Sequence, residues 1–379
     1  ETADNNTAIG RTSMLNTTTG ILTSALGSNS LYANTTGSNT TAIGSYALRS
    51  NSTGTDNTAV GLNANYNNST ASYNTSIGST ALVATTTGGG NTAIGYSSMS
   101  QNTSGSSNSA IGLLSLYFNS IGNSNVAFGN QTLNMNTSGS FNVALGAGAL
   151  HDNSSRNYLV AIGNNALYNN GTNATQPYHA YANTALGSYS QFANTNGYYN
   201  TSVGFYSMFS NTTGAANTSV GYHTLYNNIS GDGNNAFGFQ AMMFNNLGNS
   251  NNAFGNNALL LNTSGYSNNA FGFDALRVNT FGSTNNAFGG SALFSNTTGA
   301  KNNALGFSAL RLNTTGTSNT AVGHQTMFSN TTGDNNVAMG EFSLYSNTTG
   351  NSSTAIGFYS LSNSLGSSNT AVGHQALQD

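Results

Sequence analysis

Nine acidic residues and five histidines are the groups in this chain that could move protons or hold a metal, and they are scattered. Asp56, Asp152, Asp232, Asp274 and Asp334 form no paired-carboxylate or metal-ligand constellation, which general acid–base or metal-assisted chemistry would require. His324 and His374 fall in one column of a repeat but three repeats apart, too far to ligate one ion. There is no cysteine, so neither a thiolate nucleophile nor a disulfide is available. Gly-x-x-x-x-Gly spacings occur, but no Lys-Ser/Thr follows them, so they do not cradle phosphate. The chain is read as non-enzymatic, with no catalytic residue, metal site or cofactor expected.

The side chains that do recur are aromatic. Tyr32, Tyr66, Tyr117, Tyr168, Phe192, Phe209, Tyr226, Phe294, Phe328 and Tyr345 share one column, together with Arg49, His151, Arg277 and Arg311. A partly solvated aromatic stripe could stack on sugar rings or meet another protein. It could equally stack on itself between neighbouring repeats. Tyr117, Tyr168, Phe192, Phe209, Tyr226, Phe294, Phe328 and Tyr345 are accordingly candidate ligand or partner contacts.

These columns exist because the chain has a 17-residue period. Anchor glycines run in register from Gly10 to Gly163, resume after a 24-residue gap from Gly187 to Gly357, and end at Gly373 after a 16-residue step, making 22 copies. A short fixed period implies stacked units with nearest-neighbour contacts. One elongated domain, residues 1–379, is expected. A helix–turn–helix repeat needs about 30 or more residues. The Asn-Thr-Ala-Ile type segment is also poor in helix formers. An all-β fold follows: a parallel β-solenoid of about 22 coils, near 105 Å long at about 4.8 Å per strand.

The residue before each anchor glycine is Ile, Val, Leu, Phe or Met in all 22 copies, and the residue four after it is Leu or Met in 20, with Asn65 and Gln191 the exceptions. These two columns are expected to fill a thin core. Two before the glycine stand 19 alanines and three serines. Strand alternation turns that position outward if its large neighbour points in. Ala42, Ala59, Ala93, Ala127, Ala236, Ala270 and Ala321 are therefore candidate oligomer contacts. The alternative is a cramped corner inside the coil.

Glycine at the anchor suits a positive-φ corner, and a second glycine ten residues on, after Asn-Thr-Thr or Asn-Thr-Ser, reads as turn chemistry. Aligned asparagines four before the glycine are expected to hydrogen-bond along the stack. From Asn235 to Asn303 the residue three before the glycine changes from Thr to Asn, marking a distinct section. Residues 171–183 hold seven extra residues and form an expected outward loop, in which Tyr178 and His179 are candidate contacts. Asn-x-Thr/Ser sequons, including Asn34, Asn211, Asn296 and Asn330, are glycan acceptors only where a cell supplies the machinery.

Only 4% of residues are charged and the net charge is −3, so no basic stripe exists for nucleic acid. No apolar run approaches the length of a membrane span. The chain opens at Glu1 rather than Met, which fits either a removed signal peptide or a numbering that begins inside a longer protein. Repeats run to both ends without a capping segment, which invites end-to-end polymerisation.

Units such as Asn142-Val143-Ala144-Leu145-Gly146 and Asn91-Thr92-Ala93-Ile94-Gly95 resemble the head repeats of YadA-type trimeric autotransporter adhesins, and are similar to Asn/Thr-rich phage tail-fibre-like repeats. The resemblance implies a left-handed β-roll, three associated chains, an extracellular or cell-surface location, and a surface or matrix ligand. The family's usual unit is shorter, so each unit here carries an extra three-residue turn. The reading is an extracellular structural or adhesive rod assembling as a homo-oligomer, with a trimer favoured. The alternative is a module binding glycan, or less readily ice, through an aromatic- or Thr-lined face.

Overall fold

The computed structural model describes residues 4–172 and 174–378; positions 1–3 and 379 of the expected domain and position 173 of the expected loop lie outside the described residues. The chain contains 22 three-residue strands, β1 (Thr7–Ile9) to β22 (Thr370–Val372), and no helix among the described residues. It divides into two compact units, Glu1–Asn196 and Gly197–Asp379. The first holds β1 to β11 (Thr184–Leu186) and the second β12 (Thr201–Val203) to β22.

Within each unit every strand pairs in parallel with the strand one coil away. Thr41, Ala42 and Ile43 lie opposite Thr58, Ala59 and Val60, and Asn252, Ala253 and Phe254 opposite Asn269, Ala270 and Phe271. The sequence columns are therefore physical columns. The fold is a parallel β-solenoid built on a 17-residue coil.

The turns are built from backbone that L-residues rarely adopt. In one coil Tyr46, Leu48 and Asp56 have φ of 61°, 48° and 56°, and the same three positions repeat this along the chain. Left-handed backbone costs roughly 1–2 kcal/mol for a non-glycine residue. Hydrogen bonds between coils offset it: the Tyr46 amide donates to Ser28 O of the preceding coil at 2.9 Å and the Leu48 amide to Ala64 O of the following one at 3.0 Å. Reversing the sign of φ lets one coil address both neighbours. The anchor is stricter still. Gly61 has φ +137°, and a Cβ there would lie 2.6 Å from the carbonyl oxygen of Gly78.

The core corrects one expectation. The Leu/Met column four after the glycine is inside, with Leu48, Leu82, Leu116 and Leu276 wholly buried, but the column before the glycine faces out: Ile43 is 41% exposed and Phe288 42%. Alanine is the inward residue. Ala42, Ala59, Ala93, Ala127, Ala236, Ala270 and Ala321 are each fully buried by their own chain, so none is available to a second copy. The coil is too thin for any other arrangement. The residue three after the glycine sits directly across from the strand, as Ser115 Oγ shows by donating to Ala127 O at 2.8 Å. A large residue on the inner face would overfill that gap.

Much of the interior is amide. Along one column Asn262 Nδ2 donates to Asn245 Oδ1 at 2.6 Å and to Gly265 O at 3.0 Å, and its own Oδ1 accepts from Asn279 at 2.8 Å. Along the second, four before the glycine, Asn251 Nδ2 donates to Gly265 O at 2.8 Å while its Oδ1 accepts the Asn268 amide at 3.0 Å. Both columns are buried. The expected stacking of the second column is thus observed, and the first, assigned to turn chemistry, is a core ladder as well. Asn34, Asn211, Asn296 and Asn330 belong to that ladder and are fully buried, so these sequons are closed to a glycan in the folded chain.

Candidate functional site

With alanine, leucine and asparagine inside, everything that could meet a partner lies on the outer columns. The outer strand face carries the residues three before and one before the glycine. In the section that changes from Thr to Asn, β14 (Asn235–Phe237), β15 (Asn252–Phe254), β16 (Asn269–Phe271), β17 (Asn286–Phe288) and β18 (Asn303–Leu305) form two outer ladders. Asparagine amides join at 2.8, 2.8, 2.7 and 2.6 Å from Asn235 to Asn303. Phe237, Phe254, Phe271 and Phe288 stack at 4.7, 4.7 and 4.8 Å with rings within 9° of parallel. The switch to Asn thus accompanies the switch to Phe on the same face, giving a regular stripe of amide beside aromatic.

Immediately after the glycine a further exposed column runs through the second unit: Phe205, Tyr222, Phe239, Phe273, Phe307 and Phe358 are 40–58% exposed. Phe205, Tyr222 and Phe239 stack successively at 5.9 and 5.4 Å. At about 200 Å² per ring, these six side chains leave roughly 600 Å² in solvent, before the column ahead of the glycine is added. Asn256, Gly290, His324 and Glu341 interrupt the column, so this area is shared among shorter apolar stretches.

The aromatic column five after the glycine behaves differently. His151 and Tyr168 stack at 4.7 Å, Tyr168 and Phe192 at 5.4 Å, Phe209 and Tyr226 at 5.3 Å, and Phe328 and Tyr345 at 5.3 Å. Arginines fill intervening steps: Arg311 lies 5.4 Å from the Phe294 centroid and 5.8 Å from that of Phe328. These rings are half-buried, and their neighbours cover the ring faces that a sugar would need. Tyr117 instead meets Phe118 edge-on at 4.6 Å. Burial, with the Asp152 carboxylate near it, pushes the Tyr168 phenol up.

Thr172 and Thr175 to Tyr178 are exposed, while His179 is half-buried, its ring edge-on to Tyr178 at 4.9 Å. Arg156 holds the loop down, Nη2 donating to Ala174 O at 2.8 Å. Arg156 occupies the place of the second glycine, so the displaced loop and the one large residue in that column go together.

The ionisable groups remain dispersed. His151 Nδ1 lies 2.6 Å from Asp152 Oδ1, and His324 Nδ1 3.3 Å from Glu341 Oε1; among the described residues no three His, Asp or Glu converge on a metal position. Among those residues, too, no helix is long and apolar enough to cross a membrane. The outward Thr column reaches four consecutive coils, Thr41 to Thr92, before Ser109 and Val126 interrupt it. No protein-family model matches the chain, and no curated protein matches it in sequence.

Sequence reasoning missed the outer apolar columns because it turned the strand over. The signal was present. A position held to Ala or Ser in every copy is what an interior with no room demands.

Proposed function

We propose that the chain is an extracellular fibrous rod, structural or adhesive and non-enzymatic, which assembles side by side with copies of itself. The observation that carries this reading is the outward apolar column before each anchor glycine, half-buried in some coils and exposed in the others, continued in the second unit by the aromatic column after it. Its area is comparable to the about 800 Å² per partner of a standard interface, and regular in-register ladders suit a partner with the same 17-residue repeat. A trimer agrees with the resemblance to autotransporter heads, and addition at the coil ends would give filaments. The buried alanines take no part.

Sedimentation analysis tests it. The wild-type chain should sediment as an oligomer, and the triple substitution Phe254→Ser, Phe271→Ser, Phe288→Ser should yield folded monomer. A wild-type monomer at tens of micromolar concentration overturns the assembly.

A further inference from the structure

The aromatic column of the first unit has a gap. Arg49 is sandwiched between Tyr32 and Tyr66, its guanidinium carbon 5.3 and 5.5 Å from the two ring centroids, and Arg49 Nη1 donates to the Tyr66 hydroxyl at 3.0 Å. The next two coils place Val83 and Ser100 where a ring would continue the stack. Tyr66 therefore has a cation stacked from the preceding coil and no ring stacked from the following one. Tyr46 stands beside it, centroids 6.2 Å apart and planes at 48°, so the two rings make a corner. An open cavity of about 540 Å³ occupies the gap, lined by Tyr46, Asn63, Tyr66, Asn67 and Val83.

We propose that this cavity binds one pyranose ring of a neutral saccharide, independently of the lateral assembly above. The cavity is wide open to solvent, so it would hold a single ring against its wall rather than enclose it. Pyranoses present an apolar C–H face edged by hydroxyls, and the corner offers the complement: a ring with none stacked on it from the following coil, a tilted second ring and an aliphatic floor. Asn63 and Asn67 supply amides that both donate and accept; Asn67 is exposed and Asn63 half-buried. No ionised group lines the cavity; Arg49 is engaged between Tyr32 and Tyr66. Charged sugars and acidic peptides would gain nothing there.

The test is saturation-transfer NMR on the full chain with methyl pyranosides of glucose, galactose, mannose and N-acetylglucosamine, and with a tyrosine-containing tripeptide as the rival. Transfer to ring C–H protons of at least one pyranoside is expected. Val83→Tyr continues the stack as other coils do, so it should fill the gap, keep the melting temperature and abolish transfer. Asn67→Ala, at an exposed position, should weaken binding at least tenfold and covers the case in which Val83→Tyr misfolds. Absence of transfer from every pyranoside, transfer retained by Val83→Tyr, or transfer from the peptide alone would overturn the proposal.

Discussion

Asn65 occupies a place that 20 other coils give to Leu or Met. It is wholly buried and neither of its side-chain polar atoms has a partner. An unsatisfied buried amide costs about 1–3 kcal/mol, and its φ of +50° is the backbone that Leu48 and Leu82 already accept above and below it. Asn65→Leu should raise unfolding stability by about 1–3 kcal/mol, measured by denaturant titration; an unchanged or lower midpoint would refute that account. His223 gives a second, pH-linked prediction. Packed against Tyr222 at 4.0 Å and Tyr226 at 4.9 Å, its imidazole is pushed below its ordinary value by burial. The unfolded chain therefore takes up the proton first. The contribution is complete above pH of about 6.5 and is lost as pH falls through the lower folded value. His223→Gln should flatten the loss of stability between pH 7.5 and 5, measured as melting temperature against pH.

At the scale of the coil, the asparagine ladders are structure rather than decoration. Asn262→Ala removes two donated bonds and one accepted bond and leaves Asn245 Oδ1 without that donor in a buried site. A loss of about 1–3 kcal/mol is expected. A folded variant that loses less than about 0.5 kcal/mol, the low end for one net hydrogen bond, would mean that water replaces the amide. Much of this element was readable in advance. Period, parallel strands, the Leu column, the glycine corner and one Asn ladder all follow from spacing and residue type. The facing of the strand did not, because period-two alternation tells which residues share a side and is silent on which side is in. Only the cross-section decides, and so short a period closes a coil so narrow that Ala127 faces the Ser115 hydroxyl directly. The left-handed backbone at Tyr46 and Leu48 was equally hidden, since Leu carries no preference for it. The interruption of the aromatic column at Val83 and Ser100 was not singled out from the sequence, because its meaning needed the placement of Tyr46 and Tyr66 beside it.

Across each unit, strands contact only the neighbouring coil among the described residues, so stability should behave as a sum over coils. Deleting residues 256–272, one full period, rejoins Gly255 to Phe273 in register. That variant should fold with a slightly lower denaturant slope. Removing only nine residues from the same stretch should break the ladder, because glycine, leucine and asparagine would then face the wrong columns. Circular dichroism melts of the two deletions distinguish these outcomes. Equal stability in both would deny that register holds the coils together.

The amide-rich interior has a calorimetric consequence. Heat capacity rises on unfolding because apolar surface is wetted, and exposing polar surface lowers it. A chain whose buried columns are asparagine, alanine and a single leucine should therefore unfold with a smaller increment than the usual ~12–15 cal/mol/K per residue. Its stability curve would be correspondingly shallow, declining little toward 0 °C, where proteins with oily interiors lose part of their driving force. Scanning calorimetry at several pH values would read the increment directly, and an ordinary value would show that the buried amides count as apolar surface.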